Sequence, residues 1–416
     1  MSQAADVIVL GGGAIGLSCA LQLQLAGRSV RVIERARVGG ATSHGNCGTI
    51  TPSHAPPLAA PGTLLKAMKW MLRPDAPLYV PPRWDPALAG WMLRFASRCN
   101  RRDWLASAGP KGALLSLSRK MLEDLVREHR LDCGFEASGL RYVHRDPRLL
   151  EQDLAQLPGL RELGIEAQAL DAAQLEFAEP ALLPGLAGGI HFPGDAQLRP
   201  DLYSAELARV LRGHGGVIEE GNAVRGLRLS RSHVEGVDTD AGPRKAPAVL
   251  LAMGPWSAPW LAPLGLRLPI QPGKGYSITW SRPVLAPQVP LVLRDDSVCV
   301  TAWEDGYRLG STMEFSGYDA RLNRVRLDAL ERGAARFLRE PVGAERREEW
   351  FGWRPMTPDD LPVLGAAPGI EGLWLATGHG MMGIGMSAAT GRLMAELMTG
   401  AEPCIDPRPF RAGRFG

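Results

Sequence analysis

Gly11-Gly12-Gly13-Ala14-Ile15-Gly16 follows directly on the apolar run Val7-Ile8-Val9-Leu10, a G-x-G-x-x-G turn at the end of a strand. The chemistry open to such a turn is anion binding. Gly11 and Gly13 allow a tight turn and a close backbone approach to a pyrophosphate, and Gly16 allows the next helix to pack against the sheet. The amides around Ala14 and Ile15 then face the anion from the positive end of that helix. An amphipathic stretch over 17–26 is closed by Gly27, and a second apolar strand over 29–33 ends in Glu34. Glu34 stands 23 residues beyond Gly11, where a carboxylate meets a ribose hydroxyl, and Arg35 follows it. The alternative is a buried βα turn without nucleotide; the strand before the turn and the helix after it weigh against that. The motif predicts a dinucleotide and leaves open which one.

The elements that carry this turn are read from periodicity. Residues 39–50 are small, polar and glycine-rich, suited to folding closely around a ligand, and Pro52, Pro56, Pro57 and Pro61 mark an extended crossing loop. Helical spacing predicts helices over 64–72, 86–105 and 112–130, an excursion away from the first sheet. Strands are predicted over 140–143 and 189–192, separated by a helical stretch over 146–163. A helix over 200–213, short alternating strands within 217–237 and a buried strand over 246–252 follow. Antiparallel strands are expected over 270–280, 297–303 and 307–311, then a helix over 322–338, a strand over 373–377 and a helix over 385–398.

Dinucleotide-type signals thus recur at the N-terminus and near residues 250 and 375. The expected fold is α/β with two domains. A Rossmann-like, doubly wound cofactor domain is assembled from 1–60, 195–258 and 340–416. A substrate domain, 61–194 and 259–339, carries helices on a large, mostly antiparallel sheet. No second G-x-G-x-x-G follows a strand, so a separate NAD(P)H domain is not expected and a bound flavin taking electrons directly from substrate is.

Composition narrows the class further. The chain has 416 residues, long enough for two or three domains' worth of core, and 45% of them are hydrophobic, which argues against disorder. A net charge of +3 without basic blocks argues against nucleic acid as a partner. Cys19, Cys47, Cys99, Cys133, Cys299 and Cys404 show no C-x-x-C spacing, so no metal, iron–sulfur cluster or disulfide framework is expected, and a cytoplasmic, reducing setting fits. From Ala4 the chain runs into its first strand without a basic leader, which argues against a secretory signal, and no apolar run is long enough to span a bilayer.

Taken in order, the N-terminal turn, Thr42-Ser43 with Asn46 and Gly48, Ala252-Met253-Gly254-Pro255-Trp256-Ser257, Gly273-Lys274-Gly275-Tyr276, Gly352-Trp353-Arg354-Pro355-Met356-Thr357-Pro358-Asp359 and Thr377-Gly378-His379-Gly380 resemble the D-amino-acid oxidase superfamily of FAD enzymes. Within it the chain is most similar to bacterial D-amino-acid dehydrogenases, including those acting on D-hydroxyproline. Pro61-Gly62 and Leu65-Lys66-Ala67-Met68-Lys69-Trp70-Met71 add to that likeness. One departure is Cys47-Gly48-Thr49-Ile50, where the expected pattern is Ala, Gly, Gln and Ile. The resemblance implies noncovalent FAD held by Gly11, Gly13, Ala14, Ile15, Gly16, Glu34, Arg35, Thr42, Ser43, Asn46, Gly48, Gly254, Trp256, Gly378, Gly380, Met381, Met382, Gly383 and Ile384.

An amine-oxidising flavoenzyme must hold the substrate carboxylate, present its Cα–H to flavin N5 and stabilise the flavin as it becomes anionic. Arg354 suits the first demand, because a guanidinium matches a carboxylate in a planar, bidentate, permanently charged fork; the resemblance assigns the same role. A structural arginine is the alternative. Residues 378–384 suit the third demand, ending a strand and opening the last helix with its N–H donors. His379 contacts flavin or substrate, or is packed at a strand end. Tyr276 and His54 are candidate pocket groups, with structural roles equally open, and Trp303 and Met382 are candidate apolar walls. His44 raises a covalent histidyl flavin, but its register does not match. The hydride step requires no general base if the amine arrives neutral.

For the acceptor, Lys66, Lys69 and Arg73 lie among Leu65, Met68, Trp70, Met71 and Leu72, and Arg94, Arg98, Arg101 and Arg102 among Trp91, Met92, Leu93 and Phe95. Such a surface can rest on anionic lipid at the inner face of a membrane and pass electrons to quinone; a core-facing helix with solvated lysines is the alternative. The expected reaction is FAD-dependent dehydrogenation of D-amino acids, with D-proline or cis-4-hydroxy-D-proline among the candidates. A glycine- or sarcosine-type amine oxidase using oxygen and a non-catalytic FAD-binding protein are the competing readings.

Overall fold

The computed structural model describes residues 4–415 other than Leu72, and the side chains of Leu65 and Lys66 also lie outside the described residues. Whatever the predicted basic amphipathic surface owes to those three positions therefore falls outside the description. The backbone of that segment is helical over Thr63–Met71.

Val7–Leu10, Ala248–Leu251 and Leu373–Thr377 are short, nearly unbroken apolar runs, as strands covered on both faces must be. They lie side by side in parallel, with Val30–Ile33 and Val217–Glu219 continuing beyond Val7–Leu10 and an antiparallel Val363–Ala366 at the other edge. The three separated nucleotide signals of the sequence thus become neighbouring strands. Alternation decides what covers them. Val7, Val9, Val30 and Val32 face the helices Ala14–Leu25, Pro200–Gly213 and Gly383–Thr399. Ile8, Leu10, Ile33 and Val249 face Val234 and Val237 of a small antiparallel sheet, Val224–Ser230, His233–Thr239 and Gly242–Lys245.

A second, larger sheet among the described residues runs in the order Arg346–Met356, Gln271–Trp280, Tyr307–Glu314, Val298–Ala302, Leu291–Leu293, Leu140–His144, Gly188–Phe192 and Gln168–Leu170. Its pairs are antiparallel except where Leu291–Leu293 meets Leu140–His144 and where the short Leu78–Tyr79 joins Tyr307–Glu314. The helix Arg324–Ala335 packs Leu327, Leu330 and Ala334 into the core that this sheet shares with Ile278, Val300 and Leu309. The α/β architecture with a second, mostly antiparallel sheet is as the sequence predicts.

Two expectations need correction. Residues from 340 onward were expected with the nucleotide sheet, yet Arg346–Met356 pairs along its whole length with Gln271–Trp280. Its opening Arg346-Arg347-Glu348-Glu349 carries no apolar alternation because it is the edge of the sheet. Likewise, the helices expected over 86–105 and 112–130 are instead Pro86–Arg98 and Arg101–His129. The break falls at Asn100, whose side chain caps the second helix by accepting from the Asp103 N–H, and Pro110 lies inside that helix. No helix among the described residues is long and apolar enough to cross a membrane.

Candidate active site

The carboxyl ends of the central parallel strands open onto one cavity of about 860 Å³, at the point where strand order reverses between Val7–Leu10 and Ala248–Leu251. Gly11, Glu34, Ala252 and Met253 line it directly after their strands. Gly13, Ala14 and Ile15 present the amino end of the helix Ala14–Leu25, whose first N–H groups have no partner within the helix. A Cβ on Gly11 would stand 2.6 Å from the Ala252 carbonyl oxygen, and one on Gly16 only 1.9 Å from that of Gly11, so no larger residue closes this turn.

The wall around the turn is tied by hydrogen bonds. The Glu34 carboxylate accepts from the Gly12 N–H at 2.8 Å and the Ala36 N–H at 2.9 Å, and Ser43 Oγ accepts from the Ala14 N–H at 3.1 Å. Thr42 Oγ1 donates to the Trp353 carbonyl at 2.8 Å, and Asn46 Oδ1 accepts from the Gly48 N–H at 2.8 Å. The Arg35 guanidinium lies 4.1 Å over the Trp256 ring, both on the cavity wall with Gly254. At the opposite side Gly380, Met381, Met382, Gly383 and Ile384 open the helix Gly383–Thr399 onto the same space. Gly16, Gly48 and Gly378 do not line it; Gly48 and Gly378 instead pack against the Leu198 carbonyl and the Thr357 side chain.

Arg354 reaches the cavity by crossing the neighbouring strand. A Cβ on Gly275 would fall 2.4 Å from the Arg354 Cζ, so the glycine is what lets the guanidinium lie across Gln271–Trp280. There it donates to the carbonyls of Thr312 and, at 3.2 Å, Ser311. Both acceptors are neutral, and among the described residues no carboxylate pairs with it. Burial pulls its pKa down to about 10, the Cys47 thiol working the other way, so it remains cationic at neutral pH. The arrangement suits a carboxylate arriving from the cavity.

The other candidate catalytic residues are less free. His379, 5% exposed, pairs its Nε2 with Thr390 Oγ1 at 3.1 Å on the last helix, and burial holds it down to about 3. Tyr276, 1% exposed, donates its hydroxyl to Glu314 at 3.0 Å, and burial first, then Glu314, raises its pKa. His54 lines the cavity, as Tyr276 and His379 also do, its Nε2 3.4 Å from the Tyr142 hydroxyl; burial, Lys111 and Arg294 hold it down to about 3. Both histidines are therefore neutral and poor bases at physiological pH.

Met382 lines the cavity, but Trp303 does not: it is buried beneath the guanidinium groups of Arg199 and Arg308, which makes it a cation–π platform rather than a cavity wall. His44 is held by Glu348 at 2.7 Å.

Several cavity groups carried no local signal. Ser53 donates its N–H and hydroxyl to Asp195, which burial raises to about 7 against those two hydrogen bonds. Arg294 makes a two-point pair with Asp153 and lies 4.8 Å over the Tyr142 ring. Cys47 and Cys299, far apart in sequence, meet on the cavity wall.

A family model described as FAD dependent oxidoreductase matches residues 6–397. The chain belongs to this family of FAD-dependent oxidoreductases. It is 34% identical to D-amino acid dehydrogenase of Chromohalobacter salexigens, over 99% of both chains, and 32% identical to that of Vibrio cholerae, over 95% and 96%. Its fold is similar to those of glycine oxidase from Geobacillus kaustophilus (TM-score 0.80, 24% identity, 99% of both chains) and L-proline dehydrogenase from P. horikoshii (0.74, 17%, 100% and 98%). The cavity of this FAD-dependent oxidoreductase fits such a cofactor: two helix amino ends converge on it, and the turn at Gly11 has no room for a side chain.

Proposed function

We propose that this FAD-dependent oxidoreductase is a dehydrogenase of D-amino acids, with Arg354 as the anchor of the substrate carboxylate. The observation that carries the reading is the Arg354 guanidinium, a cation on the cavity wall whose protein partners are neutral carbonyls. The names of the full-length relatives support the substrate class. Bound FAD supplies the acceptor for a hydride leaving the substrate Cα. The imino product then hydrolyses to a 2-oxo acid and ammonia, or remains a cyclic imine from a proline-like substrate.

The division of labour follows the two sheets. The parallel sheet and its glycine turn hold the cofactor through Gly11, Gly13, Ala14, Ile15, Glu34, Arg35, Thr42, Ser43, Asn46, Gly254, Trp256 and 380–384. The antiparallel sheet presents Arg354. His54 and His379, both held neutral far below the ordinary imidazole value, offer no strong base, which suits an amine that arrives deprotonated. His54 and Tyr142 form a polar corner beside Ile190, Phe192 and Val292, which favours testing D-proline and cis-4-hydroxy-D-proline among other side chains. For the acceptor we favour a membrane quinone: Met68, Trp84 and Leu93 are exposed at 68%, 94% and 73% near exposed Lys69, Arg73, Arg94, Arg101 and Arg102.

Anaerobic bleaching of the flavin absorbance against a panel of D- and L-amino acids, with proline and hydroxyproline isomers included, tests the substrate reading. Reduction by D-isomers is expected; reduction by L-isomers alone overturns it. Pelleting with anionic liposomes, lost in Met68→Ser/Leu93→Ser, tests the membrane face.

A further inference from the structure

Cys47 departs from the pattern expected of its loop, and the structure supplies it with a partner. Cys299 lies in the strand Val298–Ala302 directly opposite Gly310 of Tyr307–Glu314. Side chains at such cross-strand positions stand about 4.5–5.5 Å apart at Cβ. A Cβ on Gly310 would fall 2.5 Å from the Cys47 sulfur, so that sulfur occupies the space a side chain at 310 would fill. It is thereby set against Cys299, close enough for each thiol to shift the ionisation of the other. Both line the cavity that Arg354 enters.

The two sulfurs are not equivalent. The neighbouring Cys299 thiol holds Cys47 below the ordinary thiol value, aided by the cations of Arg308 and Arg354 and opposed by burial. Cys299 is raised by the Cys47 thiol beside it and by burial. A nucleophilic thiol with a resolving thiol beside it is the arrangement of an oxidisable pair.

We propose that Cys47 and Cys299 are a modification site for hydroperoxides, closing to a disulfide that shuts the substrate end of the cavity. The Cys47 thiolate attacks the terminal oxygen of the hydroperoxide; the O–O bond breaks, an S–O bond forms, and the alcohol, or water from hydrogen peroxide, leaves. The Cys299 thiolate then attacks the Cys47 sulfur, the S–O bond breaks, and hydroxide leaves as water with the proton Cys299 gave up. Two thiols and one hydroperoxide become one disulfide, one alcohol or water, and one further water. The bond ties the loop carrying Asn46, Cys47 and Gly48 to the sheet beside Arg354. Dithiol reductants reverse it.

The test treats the FAD-loaded enzyme with hydrogen peroxide, alkylates free thiols and maps the peptides. A Cys47–Cys299 cross-linked peptide is expected, with loss of turnover that dithiothreitol restores. Cys299→Ser is expected to stop at a Cys47 sulfenic acid trapped by dimedone, and Cys47→Ala to keep its turnover in peroxide. Should Cys299→Ser fail to fold, Cys47→Ala, the residue expected there from the family pattern, carries the control. Absence of the cross-link overturns the proposal, as does a cross-link that leaves turnover unchanged, or Cys47→Ala losing turnover as wild type does. Peptide mapping needs no substrate, so a wrong substrate assignment leaves that result intact.

Discussion

A guanidinium taken from water into a protein wall loses hydration that only anions or well-placed acceptors restore. Arg354 recovers part of it from the carbonyls of Ser311 and Thr312, which are dipoles and not charges. No carboxylate among the described residues neutralises its positive charge, which is left to attract an anion entering the cavity. Lysine at this position keeps the charge but loses the planar fork that spans both carbonyls and a carboxylate at once. Hydrogen bonds to charged groups contribute about 1.5–3 kcal/mol, so Arg354→Lys is expected to raise KM for the amino acid by roughly 10–100-fold. The spectrum of the bound flavin should be retained, because Arg354 stands on the antiparallel sheet and not in the glycine turn. Steady-state kinetics with the best substrate from the bleaching panel checks this; unchanged KM and kcat would remove Arg354 from the site.

At the level of elements, two helices with their amino ends on the cavity, Ala14–Leu25 and Gly383–Thr399, cross in close contact. The crossing is made at Gly391, where a Cβ would stand 2.6 Å from the Ser18 carbonyl oxygen. The neighbour is backbone and cannot rotate away, so Gly391→Ala must push the helices apart. Overpacking of this kind costs about 1–3 kcal/mol. The expected outcome is a lower melting temperature together with weaker FAD retention, read by thermal melts and by flavin released on gel filtration. A lower melting temperature with FAD affinity untouched would show that the crossing does not set the position of the turn.

The glycine turn, Glu34 and the three core strands were legible in sequence because each signal is local: a glycine spacing, a carboxylate at a strand end, an apolar run. The edge strand Arg346–Met356 was not, since an edge half in solvent needs no apolar alternation. Gly275 beside Arg354, Gly310 beneath Cys47 and Asp195 beneath Ser53 were equally silent, because each contact joins segments that only the sheet pairing brings together. Residue types alone also suggested more chemistry at Tyr276 and His379 than their hydrogen bonds to Glu314 and Thr390 leave available.

For the molecule as a whole, buried titrating groups tie stability to pH with opposite signs. His54 and His379 are held to about 3 against an ordinary 6.5, so below about pH 6.5 the unfolded chain takes up protons that the native state refuses. Their contribution to stability is complete above that pH and is lost as pH falls toward 3. Asp195 is displaced the other way, from 3.8 up to about 7, chiefly by burial. Between about pH 4 and 7 the native state keeps a proton that the unfolded chain has released, so this group's contribution falls as pH rises. Asparagine at 195 can still accept the Ser53 N–H and answer its hydroxyl, while removing the titration. All other titrating groups are common to wild type and Asp195→Asn and cancel in the difference. The variant's unfolding free energy should therefore rise more steeply with pH than that of wild type between about pH 4 and 7, by roughly one proton's worth of slope, and run parallel to it above pH 7. Denaturant titrations of both FAD-loaded proteins across that range measure the difference; equal slopes would mean that Asp195 ionises in the native state as it does in the unfolded chain.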